Sequence, residues 1–502
     1  MPWVGPQLAA VATVAESLDG VAGTALRPLS EVAASFRVDA LRPQGGHLDL
    51  APLQQIGAAA QTAADGVGAA AAPVSAVDRR ALVGPVRDAV DEVDDLLSEA
   101  GAATGALARA TELIPSMLGA GGPRDYLVLF QNNAEWRSLG GIPGAMALIH
   151  TDGGSLSLAA QESSSDYSRY DESVLPLDDE VLAIYGDRPG RWIQNVTQVP
   201  DFAVSAALAR EMWARQHGGQ QVDGVLTIDP VALSYLLEAT GPITLPTGDV
   251  LSADTAVPLL LNGVYTRYPN PADQDDFFAM AAASVFAKLT SGDVDPAALV
   301  AGLTRAGDEN RLLLWSAHEE EQSVLAGTTL AGGLPVSDDD VARFGVYVND
   351  GTGSKMDFYQ SASAALSWDD CALDAAGMAT GDAVLDVTIE NSAPADAESL
   401  PPYITGGSGF GVPAGVTRTV GYVYLPEGFD LIDATMSDGS GFGGGTHEGR
   451  RVLSFTVDLA PGETATATVT ARAVAPVAAT IDAALTPTLT APAAIAAVCG
   501  AA

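Results

Sequence analysis

The 502-residue sequence predicts a multidomain protein in which an α-helical region, an α/β core and a β-sandwich follow one another along the chain. Three observations support this order. Apolar residues recur at helical spacing over residues 1–118, strand-like and helix-like segments alternate over 119–360, and strand-like segments fill 361–502. The chain length also favours about three domains, at roughly 150 residues for each.

The charge balance excludes nucleic acid as a partner. The chain has 24 Lys and Arg against 63 Asp and Glu, which gives a net charge of −39. A polyanion would release few counterions on binding such a surface. Hydrophobic residues make up 47% of the chain, which is enough for sizeable cores and argues against global disorder.

Residues 1–118 predict long helices packed as an antiparallel hairpin or coiled coil. Two segments with apolar residues at spacings of three and four carry this pattern. They are Leu8, Val11, Ala15, Leu18, Ala22, Ala25, Leu29 and Val32 in the first segment, and Leu82, Val86, Ala89, Val93, Leu96, Ala100, Ala103, Leu107, Ala110 and Ile114 in the second. Pro28, Pro73 and Pro85 are expected to interrupt the helices. We interpret this region as a stalk or partner surface.

Residues 119–360 predict a central sheet covered by helices. A wholly apolar strand at 126–130 comes first, and Gly153-Gly154 forms a hairpin-like turn after the second strand. Asp229 is expected to cap a helix. The predicted strands are 126–130, 145–149, 155–158, 225–228 and 243–245, and the predicted helices are 204–215, 230–239 and 275–289.

Residues 361–502 predict an immunoglobulin-like β-sandwich. Its strands alternate apolar and polar residues between Gly and Pro turns, and the turn at 461–463 is expected to close a hairpin before the last of them. The predicted strands are 382–389, 420–425, 452–457 and 464–474.

Cys371 and Cys499, the two cysteines of the chain, bracket this last region. They have no C-x-x-C spacing, and we predict a disulfide that joins the ends of the sandwich. Such a bond would place the chain outside the cytoplasm. The alternative is a pair of unrelated buried thiols.

No catalytic motif of high specificity is present, since the chain has neither H-E-x-x-H nor G-x-S-x-G. Polar residues are instead concentrated directly after the first predicted core strand: Gln131, Asn132, Asn133, Glu135 and Arg137. Functional groups gather where strands of α/β sheets end, so this run could bind an anion or a sugar. A structural turn held by Asn side chains and ion pairing is the alternative.

Two long segments resemble the bacterial domain of unknown function numbered 4012. They are YLVLFQNNAEWRSLGG at 126–141 and YVNDGTGSKMDFY at 347–359, within a resemblance that covers about 119–360. The resemblance implies an extracytoplasmic envelope protein of high-G+C Gram-positive bacteria, often encoded with polysaccharide-assembly genes. It also implies tethering by an N-terminal membrane anchor, which this chain does not contain.

Residues 222–245, VDGVLTIDPVALSYLLEATGPITL, are distantly similar to LytR-CpsA-Psr phosphotransferases. Asn195, the helix after Asp201, the pair Arg137-Ser138 and Gln274 also occupy corresponding places. This similarity implies a LytR-CpsA-Psr-like core that transfers a glycopolymer from a polyprenyl pyrophosphate carrier, with Mg²⁺ and several arginines on the phosphates.

Two departures weaken the catalytic implication. Leu139 or Gly140 stands where the family has an aspartate, and Asp273 stands where it has a phosphate-binding arginine. Asp273, Asp275 and Asp276 could recruit Mg²⁺, or could form a solvated helix N-terminus.

We therefore expect an envelope protein that binds or transfers a lipid-linked glycopolymer. The alternative is a non-catalytic scaffold or adhesion protein with a degenerate core. If the protein is catalytic, Arg137→Ala should abolish ligand binding and leave the melting temperature nearly unchanged. From the polar run, the acidic cluster and the similarity together, we assign catalytic roles to Arg137, Glu135 and Asp275, and substrate-binding roles to Asn132, Asn133, Arg169, Asn195, Arg267 and Gln274.

Overall fold

The computed structural model describes residues 4–33, 42–490 and 495–500. They divide into two compact units. The first comprises the chain up to Arg124 with His150–Ser157 and Leu289–Pro296, and the second comprises Asp125–Ile149, Leu158–Lys288 and the chain from Ala297 onward. Among these residues, no helix combines the length and apolar character that a membrane span requires.

The N-terminal region is helical, as predicted. Gly57 lies opposite Thr111, and Val67 lies opposite Gly101, so the two longest helices form an antiparallel hairpin. The helices are α1 (Val4–Val21), α2 (Arg27–Ala33), α3 (Ala51–Ser75) and α4 (Gly84–Met117), with a π-helical turn at Ala22–Leu26.

Most of the apolar stripe predicted for the first helix is exposed. Its members Leu8, Val11 and Leu18 are exposed and Ala25 is buried, while Ala10 and Ser17 are buried outside the stripe. Small side chains let neighbouring helix axes approach closely, and the buried stripe of α1 is the one with the smaller residues. The predicted α4 stripe is displaced in the same way, with Val90, Leu97, Ala108 and Leu113 buried instead. The side chain of Val32 lies outside the described residues.

The region consists of several helices rather than one rod, as predicted, and the three prolines lie at or near helix ends. Pro73 lies inside α3 near its end, and Pro85 occupies the first turn of α4, where no N–H is needed. Pro28 follows the π-helical turn that joins α1 to α2. A π turn changes the local hydrogen-bond pattern, which accommodates the missing N–H of proline.

The central region mixes strands and helices around a five-stranded sheet of order β3-β2-β1-β4-β7. Its elements are β1 (Arg124–Arg137), β2 (Gly140–Asp152), β3 (Ser155–Ser163), α5 (Asp179–Tyr185), α6 (Phe202–Gln216), β4 (Gly224–Ile228), α7 (Pro230–Thr240), β5 (Ile243–Thr244), β6 (Val250–Leu251), α8 (Ala256–Pro258), α9 (Val264–Arg267), α10 (Pro271–Thr290), α11 (Pro296–Asp308), β7 (Leu312–Ser316) and α12 (Glu319–Leu325).

Strands β1 and β4 lie at the centre of this sheet and run parallel, with Tyr126 opposite Gly224. Helix α6 covers one face, where Phe202 and Trp213 pack with the leucines of β1. The side chain of Asp201 accepts hydrogen bonds from the first backbone N–H groups of α6, and Asp229 caps α7 in the same way.

The C-terminal region is rich in strands, which form two sheets. The four-stranded sheet has the order β12-β15-β10-β9, and the six-stranded sheet has the order β13-β14-β11-β8-β16-β17. One hydrophobic cluster contains residues of both sheets. The elements are β8 (Val341–Asp350), β9 (Gln360–Leu373), β10 (Ala379–Asn391), α13 (Pro402–Thr405), β11 (Thr417–Tyr424), β12 (Phe429–Met436), β13 (Gly443–His447), β14 (Arg450–Leu459), β15 (Thr464–Ala473), β16 (Thr480–Leu485) and β17 (Ala497–Val498).

The predicted disulfide is present. Cys371 in β9 is bonded to Cys499 just after β17, with the two Cα atoms 5.9 Å apart and 128 residues between them in sequence. The bond therefore joins β9, an edge strand of the four-stranded sheet, to the residue just after β17, an edge strand of the six-stranded sheet.

Two details differ from the sequence expectation. The turn at 461–463 connects β14 to β15, which lie in different sheets, so it does not close a hairpin. Strand β8 falls within the segment assigned to the α/β core, yet it pairs with β11 and β16. Alternation identifies the buried face of a strand but not its neighbours.

Candidate functional site

The predicted polar run after the first strand lies within β1, which continues to Arg137. Segments of the C-terminal region cover it. The Trp136 N–H donates to Asp357 Oδ2 at 2.6 Å, and the Asn133 amide donates to the carbonyl of Pro487 at 3.1 Å. The run is therefore buried, and its polar groups join β1 to the C-terminal strands.

Glu135 and Asn132 belong to a buried ion-pair cluster. Lys355 Nζ lies 2.6 Å from Glu135 Oε2, and the Asn132 amide donates to Glu135 Oε2 at 3.1 Å and to the Tyr265 hydroxyl at 2.9 Å. Lys355 Nζ also lies 4.7 Å and 4.5 Å from the ring centroids of Tyr265 and Tyr403. Burial alone would lower the pKa of Lys355, but the charge of Glu135 holds that pKa above its ordinary value.

Asn133 belongs to a second buried cluster. Its amide donates to Asp229 Oδ2 at 3.0 Å, and Arg311 Nη1 donates to the same oxygen at 2.8 Å. Burial raises the pKa of Asp229, and the charge of Arg311 opposes that rise. This cluster connects the ends of β1, β4 and β7.

Arg137 is buried and holds Asn195. Its Nε and Nη2 donate to Asn195 Oδ1 at 3.2 and 2.9 Å, and its Nη1 donates to the carbonyl oxygens of Trp136 at 2.7 Å and Asp350 at 3.4 Å. The two residues that the LytR-CpsA-Psr similarity selected for phosphate and substrate are thus in direct contact.

Two carboxylates lie near Arg137, of which Asp357 is buried and Asp350 is half-buried. Asp350 accepts from the Thr352 N–H at 2.8 Å and the Gly353 N–H at 2.5 Å, while Asp357 accepts from the Trp136 N–H. Burial raises the pKa of both groups, and the charge of Asp350 raises the pKa of Asp357 further. The charge of Arg137 opposes both rises.

An open groove of about 530 Å³ lies on the outer face of the six-stranded sheet. Its lining residues are Arg188, Gly351, Arg418, Val420, Asp438, Thr456 and Asp458. Arg418 donates from Nε and Nη2 to Asp458, with both distances 2.7 Å. Arg188, in the short 3₁₀ turn after α5, is exposed and makes no ion pair with any described residue.

Arg137 lies close to this groove. Burial raises the pKa of Tyr422 to about 12, and the charges of Arg137 and Arg188 oppose that rise. Tyr422 and the groove residue Val420 point to the same face of β11. Two arginines from separate elements, Arg188 and Arg418, therefore line one opening, and Arg137 is buried nearby.

The other predicted phosphate-binding residues lie elsewhere. Arg169 stacks over Trp192 at 5.8 Å, and Arg267 pairs with Asp249 at 2.6 Å. Gln274 is buried and donates to the carbonyl of Tyr268 at 2.7 Å. Arg169, Arg267 and Gln274 make no contact with Arg137 among the interactions of the described residues.

Asp275 lines a separate cleft of about 210 Å³ between the central sheet and α10. Its carboxylate accepts from Ser163 at 3.0 Å and from Ser165 at 3.4 Å. Phe278 lines the cleft, whereas Phe277 is buried in a hydrophobic cluster. The lining residues are Phe130, Ala145, Met146, Gln161, Glu162, Ser163, Asp166, Asp275, Asp276, Phe278, Ala279 and Ala282.

These side chains do not fit a Mg²⁺ site. Within the described ranges, no group of three or more His, Cys, Asp or Glu residues is arranged to hold a metal ion. Glu135 is paired with Lys355, and the Asp275 carboxylate accepts from serines in a different place.

The fold and this site define a protein with a helical region, a sheet-helix region and a strand-rich region, with an arginine-flanked groove on the last of these. Residues 121–265 match the family model described as "Protein of unknown function (DUF4012)". The match contains β1 to β4 and ends well before residue 360, where the predicted resemblance ended. No curated protein matches the chain.

Sequence reasoning missed Arg188 and Arg418, which lie far from the polar run in sequence. A signal for the buried partners was available in the second recognised segment, 347–359. It contains Asp350, Lys355 and Asp357, the residues that meet Glu135, Trp136 and Arg137.

Proposed function

We propose that this protein is an extracytoplasmic envelope protein that binds a phosphate-bearing, lipid-linked glycan in the groove beside Arg188. The proposal depends on Arg188, whose exposed guanidinium has no carboxylate partner among the described residues. Arg188 lies at the edge of an opening of about 530 Å³. A guanidinium offers two parallel N–H groups to a phosphate, with geometric specificity that a lysine lacks.

The groove has suitable dimensions and chemistry for a saccharide with a phosphate. Its volume of about 530 Å³ falls in the range of ordinary ligand sites. Thr456, Asp438 and Asp458 provide hydroxyl and carboxylate groups that can hydrogen-bond sugar hydroxyls, while Arg188 provides the charge for phosphate. Arg137 lies behind Tyr422 and contributes a positive potential without being exposed.

Binding is better supported than transfer. Of the candidates for metal or proton handling, Asp275 lies in the 210 Å³ cleft away from Arg137, and Glu135 is committed to its ion pair with Lys355. That cleft is smaller than ordinary ligand sites, which argues against a buried polyprenyl tail in it. We propose that the saccharide-phosphate part of the ligand is recognised and that the tail stays in the membrane.

The disulfide Cys371–Cys499 supports an oxidising compartment outside the cytoplasm. We also propose that a membrane anchor precedes this chain, that the sheet-helix region has a LytR-CpsA-Psr-like fold, and that the strand-rich region is immunoglobulin-like. The parallel strand, helix and short strand at β4, α7 and β5 are consistent with the first fold assignment.

A second candidate function is a non-catalytic scaffold or adhesion protein. One observation favours it: Asn132, Asn133, Glu135 and Gln274 are buried and bonded within the protein. Groups committed in this way stabilise a rigid molecule and leave little for a substrate.

Native mass spectrometry and lipid extraction test the proposal directly. The protein is purified from membranes of a cell-wall-bearing host, with and without Mg²⁺, and then supplied with a short-chain polyprenyl pyrophosphate disaccharide. We expect a bound polyprenyl-phosphate saccharide that is lost in Arg188→Ala and kept in Arg472→Ala, a control in which an exposed arginine is removed from the four-stranded sheet. A mass free of lipid-linked saccharide at high concentration of the probe would favour the scaffold.

A further inference from the structure

Helix α1 and the π-helical turn that follows it share an apolar stripe that faces away from the buried side of α1. Four large residues on it are exposed: Leu8 by 65%, Val11 by 55%, Leu18 by 47% and Leu26 by 61%. Ala15 and Ala22 are also exposed and complete the spacing of three and four residues. This is the seam of a coiled coil, and no described residue covers it.

The π-helical turn at Ala22–Leu26 keeps this stripe straight. A π turn holds more residues than an α turn, so Leu26 continues the exposed line after Leu18 and Ala22. On the other side, Ser17 and Ala25 remain buried across the same turn. Both faces of α1 therefore keep their orientation over its whole length.

The absence of charge on the stripe indicates the chemistry of its partner. None of its six positions is charged, although the chain has a net charge of −39. The carboxylates of Glu16 and Asp19 flank it and lie outside the seam. An uncharged apolar strip is the matching surface, and a second copy of α1 presents one.

The order of large and small residues fits an antiparallel pair. Around an axis between residues 16 and 17, Ala15 faces Leu18 of the second copy, and Val11 faces Ala22. At the two ends, the extra residue of the π-helical turn brings Leu26 opposite Leu8. A parallel pair would set Ala15 against Ala15 and leave a void beside each Leu18 layer, which costs packing energy.

We propose that the protein forms a two-fold dimer through antiparallel pairing of α1 with α1 of a second copy. The seam from Leu8 to Leu26 is about 27 Å long at the α-helical rise. It buries on the order of 1,000 Å² in total, the lower limit for a specific interface. The dimer is therefore expected to dissociate on dilution. This inference is independent of the groove and of its ligand.

Sedimentation velocity of the full chain over a wide concentration range tests the dimer. We expect a monomer–dimer equilibrium in the parent protein and a monomer in Leu18→Asp. Val300→Asp, at a residue on α11 that is 59% exposed, is the matched control and should leave the dimer intact. A parent protein that is monomeric at every concentration, or a dimer unaffected by Leu18→Asp, would overturn the proposal.

Cysteine cross-linking tests the orientation. An Ala15→Cys protein mixed with a Leu18→Cys protein should form a cross-linked heterodimer under mild oxidation, because these positions face each other. Each variant alone should cross-link poorly. Efficient cross-linking of Ala15→Cys alone would indicate a parallel pair and contradict the geometry. Flotation with phosphatidylcholine and phosphatidylglycerol vesicles completes the test, since a monomer that binds vesicles would assign the stripe to a lipid surface instead.

Discussion

The polar end of β1 and the groove beside it contain the same kinds of side chain in opposite surroundings. Arg137 is buried and donates to Asn195 and to two carbonyl oxygens, while Arg188 is exposed and has no carboxylate partner among the described residues. Both act on the same tyrosine, Tyr422. The difference assigns Arg137 to stability and to the local potential, and Arg188 to contact with a ligand.

The same contrast holds for the carboxylates. Asp357 is buried against Trp136, and its pKa is raised by burial and by the charge of Asp350. Asp458 is at the surface, where it pairs with Arg418. Polar residues within a strand can therefore be structural, and single residues from distant elements can form the accessible site.

The largest expected effect comes from the buried ion pair. Lys355→Met leaves Glu135 buried without its partner, so it should lower the free energy of unfolding by about 3–5 kcal/mol. Urea unfolding followed by tryptophan fluorescence measures the loss. The double variant Glu135→Gln/Lys355→Met should recover a large part of it, and equal losses in the single and double variants would show that the ion pair is not the cause.

The two arginines should separate in a direct comparison. Arg137→Ala removes charge-assisted hydrogen bonds from a buried site and should cost about 3 kcal/mol of unfolding free energy. This differs from the sequence expectation of an unchanged melting temperature. Arg188→Ala should change stability by less than about 0.5 kcal/mol, as is usual at exposed sites. Similar losses in both variants would remove the distinction on which the site assignment depends.

We expect the free energy of unfolding to depend on pH through Asp350 and Asp357, with a smaller effect than the Lys355 and Arg137 substitutions have. The pKa of Asp357 and that of Asp350 are raised in the folded state, so the fold binds more protons than the unfolded chain between the ordinary carboxyl pKa and the raised values. Stability from these groups is therefore present at low pH and lost as pH rises through the raised pKa values. Urea midpoints at several pH values should show this slope, and Asp357→Asn should reduce it. A slope unchanged in that variant would place the titration elsewhere.

A small effect on stability is also expected from a substitution that breaks the ion pair in the groove. Asp458→Asn frees Arg418 from its surface partner and should cost less than about 1 kcal/mol. It should also strengthen binding of the short-chain polyprenyl pyrophosphate disaccharide several-fold, because a second guanidinium becomes available. Asp382→Asn breaks a similar Arg–Asp pair, with Arg472, on the four-stranded sheet. Isothermal titration should show no gain in that control, and equal gains in both variants would indicate a general charge effect.

The order of regions could be predicted because it depends on local periodicity. Helical spacing, apolar strand runs and the Cys371–Cys499 bracket are all visible along the chain, and the structure contains each of them. The apolar stripe on α1 was visible in the sequence too, but whether it faces the protein or the solvent was not. Ala-rich helices are apolar on several sides, and only tertiary packing decides which side is buried.

The site could be predicted only in part. The contact between Arg137 and Asn195 joins residues 58 positions apart that a family similarity had selected. The groove could not be predicted, because α5 packs against the six-stranded sheet and the turn after α5 then places Arg188 beside Arg418. Patterns along the chain do not contain such tertiary packing. The burial of Glu135 depends likewise on Lys355, 220 residues away.

In the proposed function, Arg188 contacts the ligand and the polar run of β1 does not. The most direct test is isothermal titration of the disulfide-intact protein with the short-chain polyprenyl pyrophosphate disaccharide, using the parent, Arg188→Ala, Arg188→Lys and Arg472→Ala. We predict binding in the parent and in Arg472→Ala, a loss of at least about tenfold in Arg188→Ala with an unchanged melting temperature, and partial recovery in Arg188→Lys. Equal affinity in the parent and Arg188→Ala would contradict the account.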